Sequence, residues 1–143
     1  MKIYIASSWK NEFQVKALAK MLRNDGHEVD AFCEKHKGRY VFHFSELGDM
    51  TFINAITFLQ DERSQKAFKE DKKWIDWAET IILLLPAGKS SHLEAGYAKG
   101  QGKKLYIVGS FPDGEFDVMY GFADGLIKIE ELSKLFNLLR RRN

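Results

Sequence analysis

The chain has 143 residues, 45% of them hydrophobic and 29% charged, with a formal net charge of +2. That size and balance predict a globular chain folding as a single domain over residues 1–143 with a core of its own. The charge is too small to point to nucleic acid, no apolar run approaches the roughly 18 residues of a membrane span, and a lone cysteine, Cys33, excludes an intrachain disulfide and a cysteine-built metal site.

Residues 2–6 form a short β-rich run that ends at Ser7-Ser8-Trp9-Lys10. The run is too brief for a secretion signal, so it is read as a first strand and the expected location is the cytoplasm. Asn11 is placed to cap a helix reaching about residue 24, with Phe13, Ala17, Leu18, Met21 and Leu22 on one face, and Asp25-Gly26 to stop it. Residues 27–32 alternate like a strand. Residues 33–50 have weak periodicity and read as a long loop, a length that often carries function. Residues 51–77 are predicted helical, in one or two pieces, before a buried strand at 80–85. A helix at 91–100 closes on Gly100 and Gly102. A strand at 104–108, a turn at 110–114 and a short helix or turn at 116–122 follow. A small strand at 125–128 and a helix at 130–139 complete the pattern, with Arg140-Arg141-Arg142 as a solvated end that complements the helix dipole.

Strands alternating with helices predict an α/β, doubly wound parallel sheet. Such sheets bind ligands beyond the carboxyl ends of their strands, at the point where the strand order reverses. In a flavodoxin-like order, 2-1-3-4-5 over five strands with helices on both faces, that point lies between the first and third strands. The loop Ser7-Ser8-Trp9-Lys10 then faces the loop 86–91 across one crevice. Neither loop fits a dinucleotide fingerprint or a P-loop. Gly88-Lys89-Ser90 lacks the upstream glycine that a P-loop needs. The four histidines have no metal-ligand spacing, so neither metal nor cofactor is expected.

The most informative stretch runs from Leu83 to Ala98. An apolar run stops at Pro86, a Gly/Ser turn follows, and Glu94 falls in what reads as the first turn of a helix. A helix N-terminus favours the ionised carboxylate, so Glu94 is expected to be an anion and a candidate nucleophile. Asp71 shares a helical face with Trp74 and Ala78 at i, i+3 and i+7, although it also sits in the charged run Lys69-Glu70-Asp71-Lys72-Lys73. Trp9 lies in the crevice loop, where an aromatic ring stacks on a planar ligand. His43 and His92 are placed near the crevice, and Tyr4 and Tyr97 are read as bordering the site or, preferentially, as packing in the core or an interface.

Tyr4-Ile5-Ala6-Ser7-Ser8-Trp9, then Asp71 with Ala78-Glu79, then Glu94-Ala95-Gly96-Tyr97-Ala98 and Gly102-Lys103 resemble the nucleoside 2-deoxyribosyltransferases and their relatives, the 2-deoxynucleoside 5'-phosphate N-hydrolases. The likeness runs along most of the chain and is sharpest in the Glu-x-Gly-Tyr-Ala segment. It implies cleavage of an N-glycosidic bond. Glu94 would attack the anomeric carbon, Asp71 would contact the nucleoside and help protonate the departing base, and Trp9 would line the base pocket. Asp117-Val118-Met119 resembles the stretch in which a neighbouring subunit reads the sugar 5' end, which implies a homodimer or higher homo-oligomer. The substrate-binding set expected from loops and resemblance together is Ser7, Ser8, Trp9, Gly88, Ser90, Ser91, His43, Asp117 and Met119. The expected partner is a small-molecule nucleoside or nucleotide, with neither nucleic acid nor membrane.

The chain departs from the family at two informative places. Gly88 stands where the transferases carry an aspartate and the phosphate hydrolases a serine, and Asp117 stands where the phosphate hydrolases carry a serine. A carboxylate at the 5' end repels a phosphate but accepts a hydrogen bond from a free hydroxyl, which favours a nucleoside. Lys10, Lys72, Lys73 and Lys89 keep a 5'-monophosphate in play as the alternative. A non-catalytic nucleotide sensor is a second alternative. The expected chemistry is a charged Glu94 beneath the sugar and an Asp71 kept protonated beside it.

Overall fold

The structure is a computed structural model that describes residues 1–141. Arg142, the last of the three terminal arginines, lies outside the described residues. Five parallel strands form one sheet: β1 (Lys2–Ala6), β2 (Glu28–Ala31), β3 (Thr80–Leu84), β4 (Lys104–Gly109) and β5 (Gly125–Lys128). Their order is β2-β1-β3-β4-β5, the flavodoxin-like order expected for the chain.

The helices are α1 (Glu12–Asn24), the short α2 (Ala55–Phe58), α3 (Glu62–Trp77), α4 (Lys89–Gly100) and α5 (Leu132–Arg140). Side chains alternate along each strand, so the sheet buries two separate faces. Ile3, Ile5, Ile82, Leu84 and Val108 pack on one face with Val15, Leu18 and Leu22 of α1 and Leu135 and Leu139 of α5. Tyr4, Ala6, Ile81, Leu83 and Ile107 pack on the other with Trp74 and Ile75 of α3 and Ala95 and Ala98 of α4. Each fully buried Ile or Leu stabilises the fold by about 1.5–3 kcal/mol.

Local chemistry explains the boundaries. Gly26, at φ 93°, ends α1, and Asp61 caps α3 by accepting from the Arg63 amide. The sheet packs so closely at Gly109 that a Cβ there would meet Leu85 at 2.9 Å. Three expectations are corrected. The buried stripe of α1 is Val15, Leu18, Ala19 and Leu22, while Phe13 and Met21 face outward. The apolar count placed the stripe about one residue out of register, because apolar residues stand on both sides of this helix. Asn11 makes no capping bond, since its amide is drawn instead to the neighbouring loops. The fourth helix starts at Lys89, not Ser91, because Gly88 takes the cap position.

The connection from β2 to α2 crosses the carboxyl end of the sheet as extended chain with short turns at His36–Gly38 and Phe44–Leu47. No helix among the described residues is long and apolar enough to cross a membrane.

Candidate active site

β1 lies between β2 and β3, so the loops that follow β1 and β3 leave the sheet side by side. Polar side chains join them. Ser7 Oγ donates to the Leu84 carbonyl at 2.7 Å, and Ser91 Oγ donates to the Ser7 carbonyl at 2.7 Å. Asn11 Nδ2 donates to Ser7 Oγ at 3.2 Å and to the Leu85 carbonyl at 3.3 Å. Over these loops opens a cavity of about 610 Å³. Ser7, Trp9, Arg39, Asp71, Ser90 and Glu94 line it, with Phe32, Phe42, Phe44 and Phe58 making an aromatic wall.

Glu94 arrives from α4. Because that helix starts at Lys89, Glu94 lies beyond the first turn, out of reach of the free amides at the N-terminus. Its carboxylate turns inward to the sheet, where the fully buried Tyr4 hydroxyl donates to Oε2. Burial, and then the nearby Asp71 charge, push the Glu94 carboxyl up to about 8, against the opposing pull of the Tyr4 hydrogen bond and Arg39. Burial therefore works against the anion that the sequence leads one to expect. The helix-dipole argument fails because desolvation outweighs a dipole whose end lies more than a turn away.

Asp71 arrives from α3. Arg39 Nη2 donates to its Oδ1 at 2.7 Å, with 1% of the arginine side chain and 38% of the aspartate side chain exposed. Burial raises the Asp71 carboxyl above the ordinary range, and Arg39 pulls against that rise. The ion pair with Arg39 favours the ionised form of Asp71, and burial favours the protonated one. Arg39 also donates through Nε to both oxygens of Asp30, at 2.9 and 3.0 Å, and through Nη1 to the Tyr40 carbonyl at 3.0 Å. Burial holds Asp30 at about 6, with Arg39 opposing. Sequence reasoning missed Arg39. The available signal was indirect: an aspartate inside a buried strand requires a counter-charge, and the long loop that follows carries one.

The other candidates divide. Trp9 lines the cavity and meets Phe32 and His43 edge-on, with centroids 5.2 and 4.7 Å apart. Ser7 and Ser90 also reach it. His43 does not line the cavity; it backs Trp9 and organises its own turn by accepting from the Ser45 amide. Ser8 is occupied as the acceptor for the Lys10 amide, Gly88 caps α4, and Ser91 is buried in its bond to Ser7. None of these three lines the cavity. Asp117 caps a turn at Val118–Phe122 by accepting from the Met119 amide at 2.7 Å. It faces a second cavity, of about 640 Å³, shared with His92 and Tyr120. Met119 is exposed and lines neither cavity. The connection after β4 carries this segment beyond the switch point. There His92 accepts or donates at 3.1 Å to the Tyr120 hydroxyl and stacks on its ring. Within one chain, Asp117 and Glu94 therefore open into different cavities.

Tyr97, expected to pack, lines the cavity and donates to Asp76 at 2.7 Å. The Cys33 thiol is buried and pushed up to about 11 by that burial, which leaves it unreactive. Among the described residues no group of His, Cys, Asp and Glu is arranged to hold a metal ion. Chemically, the site offers two coupled carboxylates, one against a phenol and one against a guanidinium, at the floor of an aromatic-walled cavity.

No family model matches the chain, and no curated protein does. Solved structures do. A CMP N-glycosidase from Clostridium botulinum is similar at 16% identity and a TM-score of 0.60, covering 98% of this chain and 99% of that one. A 2-deoxyribosyltransferase from Bacillus psychrosaccharolyticus is similar at 22% identity and a TM-score of 0.64, covering 96% of this chain and 91% of that one. The chain thus shares, nearly end to end, the flavodoxin-like α/β fold of a 2-deoxyribosyltransferase and a CMP N-glycosidase.

Proposed function

We propose that this protein is an enzyme that cleaves the N-glycosidic bond of a 2'-deoxynucleoside and passes the sugar to another base or to water. The observation that carries the reading is the pairing of Glu94 and Asp71 in one cavity with the aromatic loop after β1. One structural neighbour is an N-glycosidase of CMP and the other a 2-deoxyribosyltransferase, and the motifs resemble the family of the second.

In the proposed reaction the bound nucleoside lies with its anomeric carbon over Glu94 and its base against Trp9. The single proton of the carboxylate pair moves from Glu94 to Asp71. The Glu94 carboxylate then forms a C–O bond to the anomeric carbon as the C–N bond breaks. The C–N electron pair leaves with the base, and Asp71 gives the proton to it. In the second half, an incoming base or water attacks the same carbon and surrenders a proton to Asp71. The ester bond breaks and its electrons return to Glu94. The Tyr4 hydroxyl stabilises the Glu94 carboxylate each time it is free.

An uncharged nucleoside suits the cavity better than its 5'-monophosphate. The cationic residues that line it are Arg39 and Lys72. Arg39 is already paired with Asp30 and Asp71, and Lys72 is paired with Asp76 at 2.7 Å. Exposed Phe52, Phe116, Val118 and Leu93 supply apolar surface for the second copy that the resemblance implies.

The test is incubation with deoxynucleosides and with their monophosphates, each with and without a second free base. A new nucleoside identifies a transferase and free base alone a hydrolase. Ligand-induced melting shifts without product would replace the enzyme reading with a sensor.

A further inference from the structure

Arg39 lies outside the residues given a role in the reaction above, yet its side chain is as buried as the core, at 1% exposure. A guanidinium in that position needs acceptors, and each of its three nitrogens has one. Two bonds go to Asp30, one to Asp71 and one to the Tyr40 carbonyl. Asp30 is itself 2% exposed, held in β2, and directed only at Arg39. A strand residue thus fixes the arginine, and the arginine reaches across to the carboxylate on α3. Asp30 is the anchor and Asp71 the target. The fork geometry allows Arg39 to serve both without moving.

We infer that Arg39, anchored by Asp30, is a positioning residue that pins the Asp71 carboxylate and keeps it ionised in the free protein, so that the proton shared by the pair rests on Glu94. The inference builds on the proposed glycosyl-transfer reading. It adds that the resting enzyme holds the proton on the nucleophile and must move it to Asp71 before attack. This arrangement guards the site, since a protonated Glu94 does not attack until a bound base favours the proton on the other member. Around this pair stand Tyr4 on β1, Asp30 on β2, Arg39 on the connecting loop, and Glu70 and Lys72 on α3. Glu70 is occupied by the Trp74 ring N–H and the Tyr40 amide, and Lys72 by Asp76. Arg39 is therefore the cation bonded to Asp71, while Glu94 takes its bond from the Tyr4 hydroxyl.

The experiment is a carboxyl carbon-13 NMR titration of Asp- and Glu-labelled protein without ligand, assigned with Asp71→Asn and Glu94→Gln. The wild type is expected to show an ionised Asp71 and a protonated Glu94 at pH 7, with Glu94 losing its proton near pH 8. In Arg39→Gln the proton is expected to populate Asp71, and both titrations are expected to move to higher pH because a positive neighbour has gone. A protonated Asp71 beside an ionised Glu94 in the wild type would overturn the inference. So would a folded Arg39→Gln protein whose two carboxyls titrate as before. The wild-type spectrum decides the matter if Arg39→Gln fails to fold. The titration needs no turnover. A protein with the expected titration that releases no base would overturn the glycosyl-transfer reading while leaving the role of Arg39 intact.

Discussion

Two cavities open at the carboxyl edge of the sheet, one on either side of the start of α4. They are nearly equal in volume, about 610 and 640 Å³, and both carry acidic side chains. Their chemistry differs. In the first, Glu94 and Asp71 are partly buried, with both carboxyls raised by desolvation, and the residues beneath them, Tyr4 and Asp30, belong to the sheet. In the second, Asp117 and Glu115 stand exposed on a surface loop, and the side chain held in place is His92, between the Gly88 carbonyl and Tyr120. Volume does not distinguish the cavities. Burial of mutually dependent charges does, because only desolvated groups acquire protons and anions at unusual pH.

Mutations sharpen this contrast. Glu94→Ala is expected to lower the rate of base release by about 10⁴-fold or more, as for loss of a covalent nucleophile. Asp117→Ala, on the other cavity, is expected to raise KM by about tenfold at most, through the 5' contact that the resemblance assigns to a neighbouring subunit. Equal losses in the two variants would erase the distinction. Asp71→Asn is expected to cost roughly 10²–10³-fold with ordinary bases, since the leaving group loses its acid. A substrate whose base departs readily without protonation should recover most of that loss, and no recovery would remove the acid role. Trp9→Ala should raise KM by about tenfold with little change in kcat, the size of one lost base-stacking contact.

A stability measurement makes the smallest but most general test. The Glu94 carboxyl sits near 8 in the folded chain, above its ordinary value of 4.5. Between those two pH values the folded chain keeps a proton that the unfolded chain has lost. Stability therefore falls as pH rises through that window and levels off above it. Glu94→Gln removes this dependence. The melting temperature of the variant should pull ahead of the wild type from about pH 5 to pH 8, reaching a gain of several degrees. A constant difference across that range would show that Glu94 is not held protonated.

How far the chain declared this arrangement depends on the distance over which each interaction acts. Strands and helices were legible because apolar runs, Gly26 and Gly102 act within a few residues. The parallel sheet followed from the alternation, which by itself leaves more than one strand order open. Glu94 and Asp71 were legible because motif and resemblance coincide there. The protonation state was not, since it depends on desolvation by residues as far apart as Tyr4 and Asp71. Arg39 escaped for the same reason: its partners lie 9 and 32 residues away, and a lone arginine in an aperiodic loop has no local signature. Tyr4 was read as packing and does pack, while its hydroxyl also serves Glu94. Asp117 was assigned by resemblance to the pocket of a neighbouring copy, and within one chain it opens into the second cavity.

The central claim is that the sugar passes through a covalent bond to Glu94, held beneath it. The most direct measurement is the anomeric configuration of the nucleoside formed when a β-deoxynucleoside and a second base are supplied together, read by proton NMR at the anomeric position. Two displacements at one carbon return the original face, so the account predicts a β product. An α product would mean a single displacement from the opposite face and would contradict it.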